Sequence, residues 1–366
     1  MSTSSDTFPS GKSVTLLSRL LFSRDRSGSV PVAMQPELLA LSRHEFQDMV
    51  ELAHLNHVVV RGLEAFLAAI RGSGDQRQQW AEKALAAERG RIDTAILFLK
   101  EICRAFEQRG FGCAVIKSLD HWPDLGSDLD LFSDASPEDV CQLMESSFGA
   151  AIAPRSWGDR LARKWNFLIP GLSESVEVHV GRLGQTGEQV AIAASLLQRT
   201  RILTVDEHTF RVTSTSDRIL LSTLQRMYRH FYFRLCDILD SATLAEAGGI
   251  DYEDLRDVAT CAGIWEGTAT YLAIVSDYVK SYRGFGVTLP PFVLDSARFG
   301  GRELYYARGF LRVPIMPQSA RLYTTQLAGT FTRGDIHNGA RLSLLPWLAT
   351  AAVVGQKLTG SDKGIW

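Results

Sequence analysis

The sequence predicts an α+β fold in which a mixed β-sheet with flanking helices lies between N-terminal and C-terminal helical regions. Three observations lead to this class. Apolar residues recur at helical spacing over 35–70 and again along Gln76–Gln108. Short runs of alternating apolar and polar residues follow between 111 and 213. Helical spacing returns after Thr213, so the sheet belongs to the middle of the chain.

The same changes of pattern divide the chain into five parts. The first part is rich in Ser, Gly and Pro, which is typical of a flexible tail, and Pro290-Pro291 interrupts the pattern near the other end. The predicted parts are a tail at 1–33, an N-terminal helical region at 34–110, the sheet core at 111–213, a helical domain at 214–290 and a C-terminal segment at 291–366. The pattern assigns no role to the tail or to the last segment.

Each part contains identifiable elements. Helices fill 35–70, a Gly-Ser-Gly turn at 71–75 breaks them, and Gly110 closes the long helix that follows. In the core we expect strands at 113–117, 128–132, 165–169 and 175–180, a hairpin near 201–212, and a helix from Pro137 to Ser147 capped by Ser136. Beyond the core, Ser216 caps a helix that runs through Tyr232 and Leu239, and further helices start near Tyr252 and cover Trp265–Tyr282.

Composition limits the choice of environment. Of 366 residues, 45% are hydrophobic and 22% charged, and the net charge of −2 gives no overall attraction to nucleic acid. The five cysteines are scattered, without disulfide or zinc-ligand spacing, and are expected to be small buried side chains in a reducing cytoplasm. The apolar stretches at 16–22 and 342–354 are too short or too interrupted to span a bilayer, so no membrane association is expected.

The most informative segment is Gly126-Ser127-Asp128-Leu129-Asp130-Leu131-Phe132. In a strand, side chains alternate, so Asp128 and Asp130 share one face, about 7 Å apart along the strand, while Leu129 and Leu131 face a core. Two such carboxylates repel each other unless cations lie between them, and hard divalent ions accept these ligands. The pair taken alone is equally compatible with a solvated surface loop.

The flanking segments favour a site over a loop. Upstream, the run from Gly112 reads as a short buried strand that ends at Lys117. Downstream, the run 175–181 alternates so that Glu177 and His179 share one face. Glu177 would supply a third carboxylate from a neighbouring strand. An exposed strand position remains the alternative for Glu177.

Together these segments resemble the DNA polymerase β nucleotidyltransferase superfamily, and more closely its largely uncharacterised bacterial members with Lys-Gly, Asp-x-Asp and Glu-x-His elements. The likeness covers residues 40–290 and is specific around 112–132 and 175–181. Ser118 stands where that family often has Gly. The segment 119–125 lacks the basic residue that many relatives place before the Asp-x-Asp box.

The resemblance implies a nucleotidyltransferase catalytic core at 111–213 and a helical domain at 214–290 that completes its cleft. Mg²⁺ or Mn²⁺ would be bound by the three carboxylates, which would also be the catalytic residues: Asp128, Asp130 and Glu177. The nucleotide would be bound by the Gly-Ser turn and by nearby cationic or imidazole side chains: Gly126, Ser127, Lys117, His179 and Arg229. Lys117 is equally compatible with a solvent-facing position, and His179 with a structural one.

Two basic clusters are further candidates. Arg226, His230 and Arg234 recur every four residues, with Arg229 beside them, so a helix would place them on one face towards triphosphate or towards solvent. The other cluster lies at 155–164, where Lys164 is the residue expected to reach the cleft.

The predicted function is transfer of NMP from an NTP, with release of pyrophosphate, to a hydroxyl or phosphate of a small-molecule or peptide acceptor. An RNA acceptor is the alternative, as in toxins that modify the 3′ end of tRNA, but a long nucleic acid usually needs more clustered cations than two modest groups. A catalytically silent nucleotide-binding protein is the third interpretation. The sequence leaves the NTP, the acceptor and the oligomeric state undetermined.

Overall fold

A seven-stranded mixed β-sheet with flanking helices is the main feature of the structure, a computed structural model that describes residues 11–23, 32–348 and 350–351. Its strands are β1 Cys113–Val115, β2 Asp128–Ser133, β3 Ala151–Ile152, β4 Lys164–Leu168, β5 Ser175–Val180, β6 Thr200–Val205 and β7 His208–Thr213. Their order is β3-β4-β5-β2-β1-β7-β6, with β2 parallel to β5 and β1 parallel to β7. The predicted α+β class is therefore confirmed.

Helices precede, flank and follow the sheet. The N-terminal ones are α1 Gly11–Phe22, α2 Gln35–Leu39, α3 Arg43–Leu55, α4 Val59–Ile70 and α5 Gln76–Gln108. Within the sheet region lie α6 Pro137–Phe148, α7 Trp157–Ala162 and α8 Val190–Leu196. After it come α9 Thr215–Thr223, α10 Leu235–Glu246, α11 Tyr252–Cys261, α12 Trp265–Arg283, α13 Pro291–Ser296, α14 Ala320–Thr332 and α15 Ile336–Ser343.

The predicted helix boundaries follow from their caps. Asp75 accepts the Arg77 backbone N–H at the start of α5, and Ser136 accepts the Asp139 N–H at the start of α6. Gly149 ends α6 in the left-handed conformation, with φ of 59°. Strand β1 is shorter than expected because the chain turns sharply at Lys117.

The N-terminal segment differs from the expected flexible tail. Residues 11–22 form helix α1, whose Leu17, Leu20 and Phe22 are fully buried. It packs against α3, α4 and α12, and its Ser18 hydroxyl lies 2.8 Å from the Tyr278 hydroxyl. Part of the predicted tail is thus a core element. Residues 1–10 and 24–31 of the predicted tail lie outside the described ranges.

The helix expected from Ser216 through Leu239 is interrupted. Ser214, not Ser216, caps α9, and a π-helix at Leu224–Arg229 follows it. Phe231 then adopts φ of 54°, and a short strand, β8 Tyr232–Phe233, precedes α10. The arginines at 226, 229 and 234 therefore do not form a single helical stripe.

The C-terminal segment supports this interrupted region. Strands β9 Tyr305–Ala307 and β10 Phe310–Arg312 form a second sheet with β8, in the order β8-β10-β9. The ring of Phe310 stacks on Tyr232 at 4.3 Å. Further along, the Arg341 guanidinium donates to the backbone carbonyl of Thr186 at 2.8 Å. Strands β9 and β10 thus support the segment that follows α9, and Arg341 contacts the loop before α8, roles that the sequence pattern did not assign.

The apolar stretch predicted at 342–354 begins within α15 and is described only in part. Within the described ranges, no helix combines the length and the apolarity needed to cross a bilayer.

Candidate functional site

The pairing of β2 with β5 brings the predicted carboxylates to one face of the sheet. In this parallel pair Asp130 lies opposite Glu177 and Asp128 opposite Ser175. The alternate residues Leu129 and Leu131 are fully buried on the other face. Asp128, Asp130 and Glu177 line one cleft of about 280 Å³. The expected sharing of a face thus follows from the register.

The tightest group of potential metal ligands includes His179. One ligand atom each from Asp130, Glu177 and His179 lies within 4.8 Å of the others. His179 Nε2 is 2.7 Å from Glu177 Oε1. Among the described residues, Asp128 is not part of this three-residue group, and its carboxylate instead accepts a hydrogen bond from the Ser175 hydroxyl at 2.6 Å. Asp128 and Asp130 thus have different surroundings within one cleft.

Lys117 lies between the carboxylates rather than in solvent. Its ammonium pairs with Asp130 and lies 3.4 Å from Glu177 Oε1. The residue adopts φ of 62° and ψ of −52°, and the Ser118 N–H bonds the Ile116 carbonyl at 2.6 Å across it. This is a γ-turn with positive φ, which is rare and strained. Strain of this kind clusters at functional sites, and here it directs the lysine into the cleft.

Ser118 anchors strand β2, which carries Asp128 and Asp130. Its hydroxyl accepts the backbone N–H of Asp130 at 2.6 Å and lies 3.3 Å from the carbonyl of Asp128. A glycine here would lack both contacts. Ser118 therefore supplies local order to β2 and leaves the carboxylates free to face the cleft.

Lys164, the residue of its cluster that was expected to reach the cleft, is the second cation that pairs with these carboxylates. It begins β4 directly opposite His179. Its ammonium lies 2.8 Å from Glu177 Oε2 and 2.9 Å from Asp159 Oδ1. Glu177 is therefore in contact with Lys117, Lys164 and His179, which makes it the carboxylate of the site with the most partners.

Burial and charge set the ionisation of these groups. Burial raises the pKa of Asp130 to about 7, against the opposing effect of Lys117. Burial also acts to raise the pKa of Glu177, but the effects of Lys117, His179 and Lys164 are larger and hold this pKa well below its usual range. Burial lowers the pKa of His179 to about 4. His179 is accordingly a neutral imidazole, and its Nδ1 makes no hydrogen bond within the described residues.

The cleft is more basic than the chain as a whole. Five cationic side chains face its three carboxylates, whereas the whole chain has a net charge of −2. They are Lys117, Lys164, Arg226, Arg229 and Arg234. The π-helix supplies two of them, and π-helical turns are frequent at functional sites. Such a surplus suits a ligand that carries several negative charges.

The arginines differ in their partners. Arg226 is 2% exposed, and its Nε lies 2.7 Å from Asp237 Oδ2, which also accepts the Arg234 N–H. Arg229 is half-buried, and no ion pair to it is found in the described part of the chain. Arg226 therefore holds α10 in place, while Arg229 is available to a ligand.

The Gly-Ser turn contributes in a way that local spacing does not show. A Cβ on Gly126 would lie 3.0 Å from Cε1 of His57. The Ser127 hydroxyl is exposed to the cleft and lies 3.4 Å from Asp128 Oδ2. Gly126 thus allows the close approach of His57.

Several cleft residues escaped the sequence prediction: His57, His121, Gln225 and Tyr232. They come from α3–α4, the segment after β1 and the region around the π-helix, and no spacing along the chain links them. The positive φ of His57 at 52° is a structural signal that the sequence does not carry.

The donor set fits a hard divalent cation. Carboxylate oxygens from Asp130 and Glu177 are the ligands that Mg²⁺ and Mn²⁺ prefer, and Asp128 adds a third carboxylate to the cleft. Imidazole is a less common ligand for Mg²⁺, so His179 suits the role of orienting Glu177. A cation held by these carboxylates would compete with Lys117 for Asp130 and Glu177.

No protein-family model and no curated protein matches the chain. The functional interpretation therefore rests on the geometry of this cleft.

Proposed function

We propose that the protein is a metal-dependent nucleotidyltransferase that moves NMP from an NTP to an acceptor and releases pyrophosphate. The observation that carries the proposal is the register that sets Asp130 opposite Glu177, with Asp128 on the same face, in a cleft lined by five cations. The seven-stranded mixed sheet would then be the nucleotidyltransferase core, with the region after Thr213 completing its cleft.

The residues have separate roles in this scheme. Mg²⁺ or Mn²⁺ held by Asp128, Asp130 and Glu177 would neutralise phosphate charge and lower the pKa of the acceptor hydroxyl. Lys117 and Arg229 bind the negative charge of the triphosphate. His179, neutral and hydrogen-bonded to Glu177, fixes the position of that carboxylate. Gly126 and Ser127 offer a turn without steric obstruction to phosphate oxygens.

A small-molecule or peptide acceptor is favoured by where the cations lie. Lys164 and three arginines of the predicted basic clusters converge on one cleft. Arg155, from the other end of its cluster, stacks on Trp165 at 3.7 Å. A long RNA needs several phosphate contacts, whereas a triphosphate and its metal ions use the charge of this cleft locally.

The silent nucleotide-binding alternative is favoured by one observation. Lys117, Lys164 and His179 together satisfy Asp130 and Glu177 without a metal. A protein of that type would bind NTP through its cations and release no pyrophosphate. Release of pyrophosphate therefore distinguishes a catalytic protein from one that only binds NTP.

The test is incubation of the protein with each NTP and Mg²⁺ or Mn²⁺, with pyrophosphate as the readout and either total tRNA or a metabolite extract as acceptor. We expect release with the metabolite extract, and a loss of at least 100-fold in Asp130→Asn. Asp206→Asn is the matched control, because Asp206 is an exposed hairpin residue whose left-handed backbone Asn tolerates. If the NTP carries a label on its α-phosphate, transfer of that label to tRNA would establish the RNA alternative. NTP binding without pyrophosphate under every condition would establish the silent one.

A further inference from the structure

We propose that His57, His121 and Cys236 form a second metal site, of the kind that binds Zn²⁺, at the edge of the same cleft. The inference goes beyond the proposed function and does not depend on it. One ligand atom from each of the three side chains lies within 4.8 Å of the others. Thiolate and imidazole ligands select Zn²⁺ over Mg²⁺, so this site differs in chemistry from the carboxylate site.

The orientation of His121 is that of a zinc ligand. Its Nδ1 lies 2.5 Å from Asp240 Oδ2, and its Nε2 lies 3.8 Å from Cys236 Sγ. A tetrahedral Zn²⁺ with Zn–S of about 2.3 Å and Zn–N of about 2.0 Å separates these ligand atoms by about 3.5 Å. Asp240 completes the carboxylate–histidine arrangement that fixes the tautomer of metal-bound histidines. Cys236 and Asp240, one turn apart on α10, contact the two nitrogens of one ring.

His57 is held towards this pair by its backbone. It adopts φ of 52°, a strained value for a non-glycine residue, and its buried Nδ1 has no hydrogen-bond partner among the described residues. A buried polar atom without a partner is costly, and a metal ion bound at Nδ1 would remove that cost. His57 also lies against Gly126, where a side chain would displace it.

Asn56 fixes the distance between the two halves of the site. Its backbone carbonyl accepts the Cys236 N–H at 3.2 Å, and its side-chain oxygen accepts the Leu235 N–H at 3.0 Å. Its amide donates to the carbonyl of Gly309 at 3.0 Å. The residue before His57 is thus hydrogen-bonded to Cys236 itself, so the ligands are preorganised.

The surrounding charges allow a cation here. The Arg61 guanidinium is paired with Asp124 and Asp240, and Arg226 with Asp237. These two arginines therefore present little unbalanced positive charge to the site, whereas the positive charge of Arg234 also acts on His57. Binding as a thiolate gives the Cys236 ligand a negative charge of its own.

Two of these ligands, Cys236 and His121, together with Asp240, also have the order of a nucleophile, a base and an orienting acid. Cys236 is 0% exposed, so an electrophilic substrate cannot reach its sulfur. A single ion can, because His57 and His121 both line the cleft. With three protein ligands, Zn²⁺ keeps a fourth position for water or a substrate oxygen. A metal here would also fix the Gly126–Ser127 turn through His57.

The experiment uses the full chain, stripped by chelation and titrated with Co²⁺, whose bond to a thiolate gives an intense near-ultraviolet absorption. We expect one equivalent of Co²⁺ with thiolate absorption, displaced by one equivalent of Zn²⁺ and not by millimolar Mg²⁺. Cys236→Ser should abolish the band, and His57→Gln should weaken binding. Asp240→Asn should weaken Co²⁺ affinity by about 10- to 100-fold.

Two controls keep the result specific. Cys261→Ser, at an exposed cysteine in α11, should leave the band intact, as should Asp130→Asn in the carboxylate site. Circular dichroism establishes that each variant is folded. A folded wild-type chain that binds no Co²⁺ with thiolate absorption overturns the proposal. So does a band that survives in Cys236→Ser.

Discussion

Replacing either arginine of the π-helix by Met should affect a different property. For Arg226 the property is the free energy of unfolding, and for Arg229 it is the affinity for nucleotide. In Arg226→Met, the Asp237 carboxylate, whose side chain is 2% exposed, loses its ion-pair partner 2.7 Å away. Breaking a buried pair in this way costs about 3–5 kcal/mol in the free energy of unfolding. The reason is that the remaining charge stays buried with the Arg234 backbone N–H as its hydrogen bond but without an opposite charge.

Arg229→Met removes a cation of the same cleft that has no ion pair in the described structure. The free energy of unfolding should change by less than about 0.5 kcal/mol. Affinity for a nonhydrolysable NTP analogue should fall, since a hydrogen bond to a charged group contributes about 1.5–3 kcal/mol. At 1.4 kcal/mol per decade this is a loss of about 10- to 150-fold in Kd.

Chemical denaturation and analogue titration on both variants check the pair. Adding Asp237→Asn to Arg226→Met should restore most of the stability, because Asn removes the unpaired charge and still caps α10. A loss below about 1 kcal/mol for Arg226→Met would refute the structural role given to that ion pair. An unchanged Kd for Arg229→Met would refute the binding role of Arg229.

Two further outcomes are expected. Gly126→Ala should lower the free energy of unfolding by about 1–3 kcal/mol and weaken analogue binding, because the added Cβ meets His57 at 3.0 Å; an unchanged denaturation midpoint would contradict this. The bidentate hydrogen bonds of Arg199 lower the pKa of Asp254 from its usual 3.8, so the stability they give is present above that value and is lost as pH falls through the folded pKa. As the pH is lowered from 5 into the acid range, the free energy of unfolding should therefore fall less in Asp254→Asn than in the wild type. Thermal unfolding at each pH measures this fall. An equal fall in both proteins would contradict the assignment.

Local patterns predicted most elements of the sheet core. Ser136 and Pro137 mark the start of α6 by chemistry that acts within four residues, and alternation along 175–180 predicts β5 with the observed bounds. The interrupted segment after Thr213 was not predictable in this way. Its π-helix and the turn at Phe231 are held by pairing of β8 with β10, about 80 residues away in sequence.

The candidate site likewise contains residues that local sequence patterns predicted and residues that they did not. Asp130 and Glu177 were predictable because each lies in a strand whose alternation fixes its face. The grouping of His57 with Cys236 was not, because it depends on tertiary contacts through Asn56 and on a positive φ. The spacing of the cysteines indicated no zinc site, since the candidate ligands are distributed over 180 residues of the chain.

The most direct test of nucleotidyl transfer is to measure where the α-phosphate and the γ-phosphate of the NTP go. The protein is incubated with metal, acceptor and NTP labelled either at the α-phosphate or at the γ-phosphate. Nucleotidyl transfer predicts that the α-label joins the acceptor and the γ-label leaves as pyrophosphate, with both events lost in Asp130→Asn. A γ-label on the acceptor, or α-label transfer that persists in Asp130→Asn, would contradict the account.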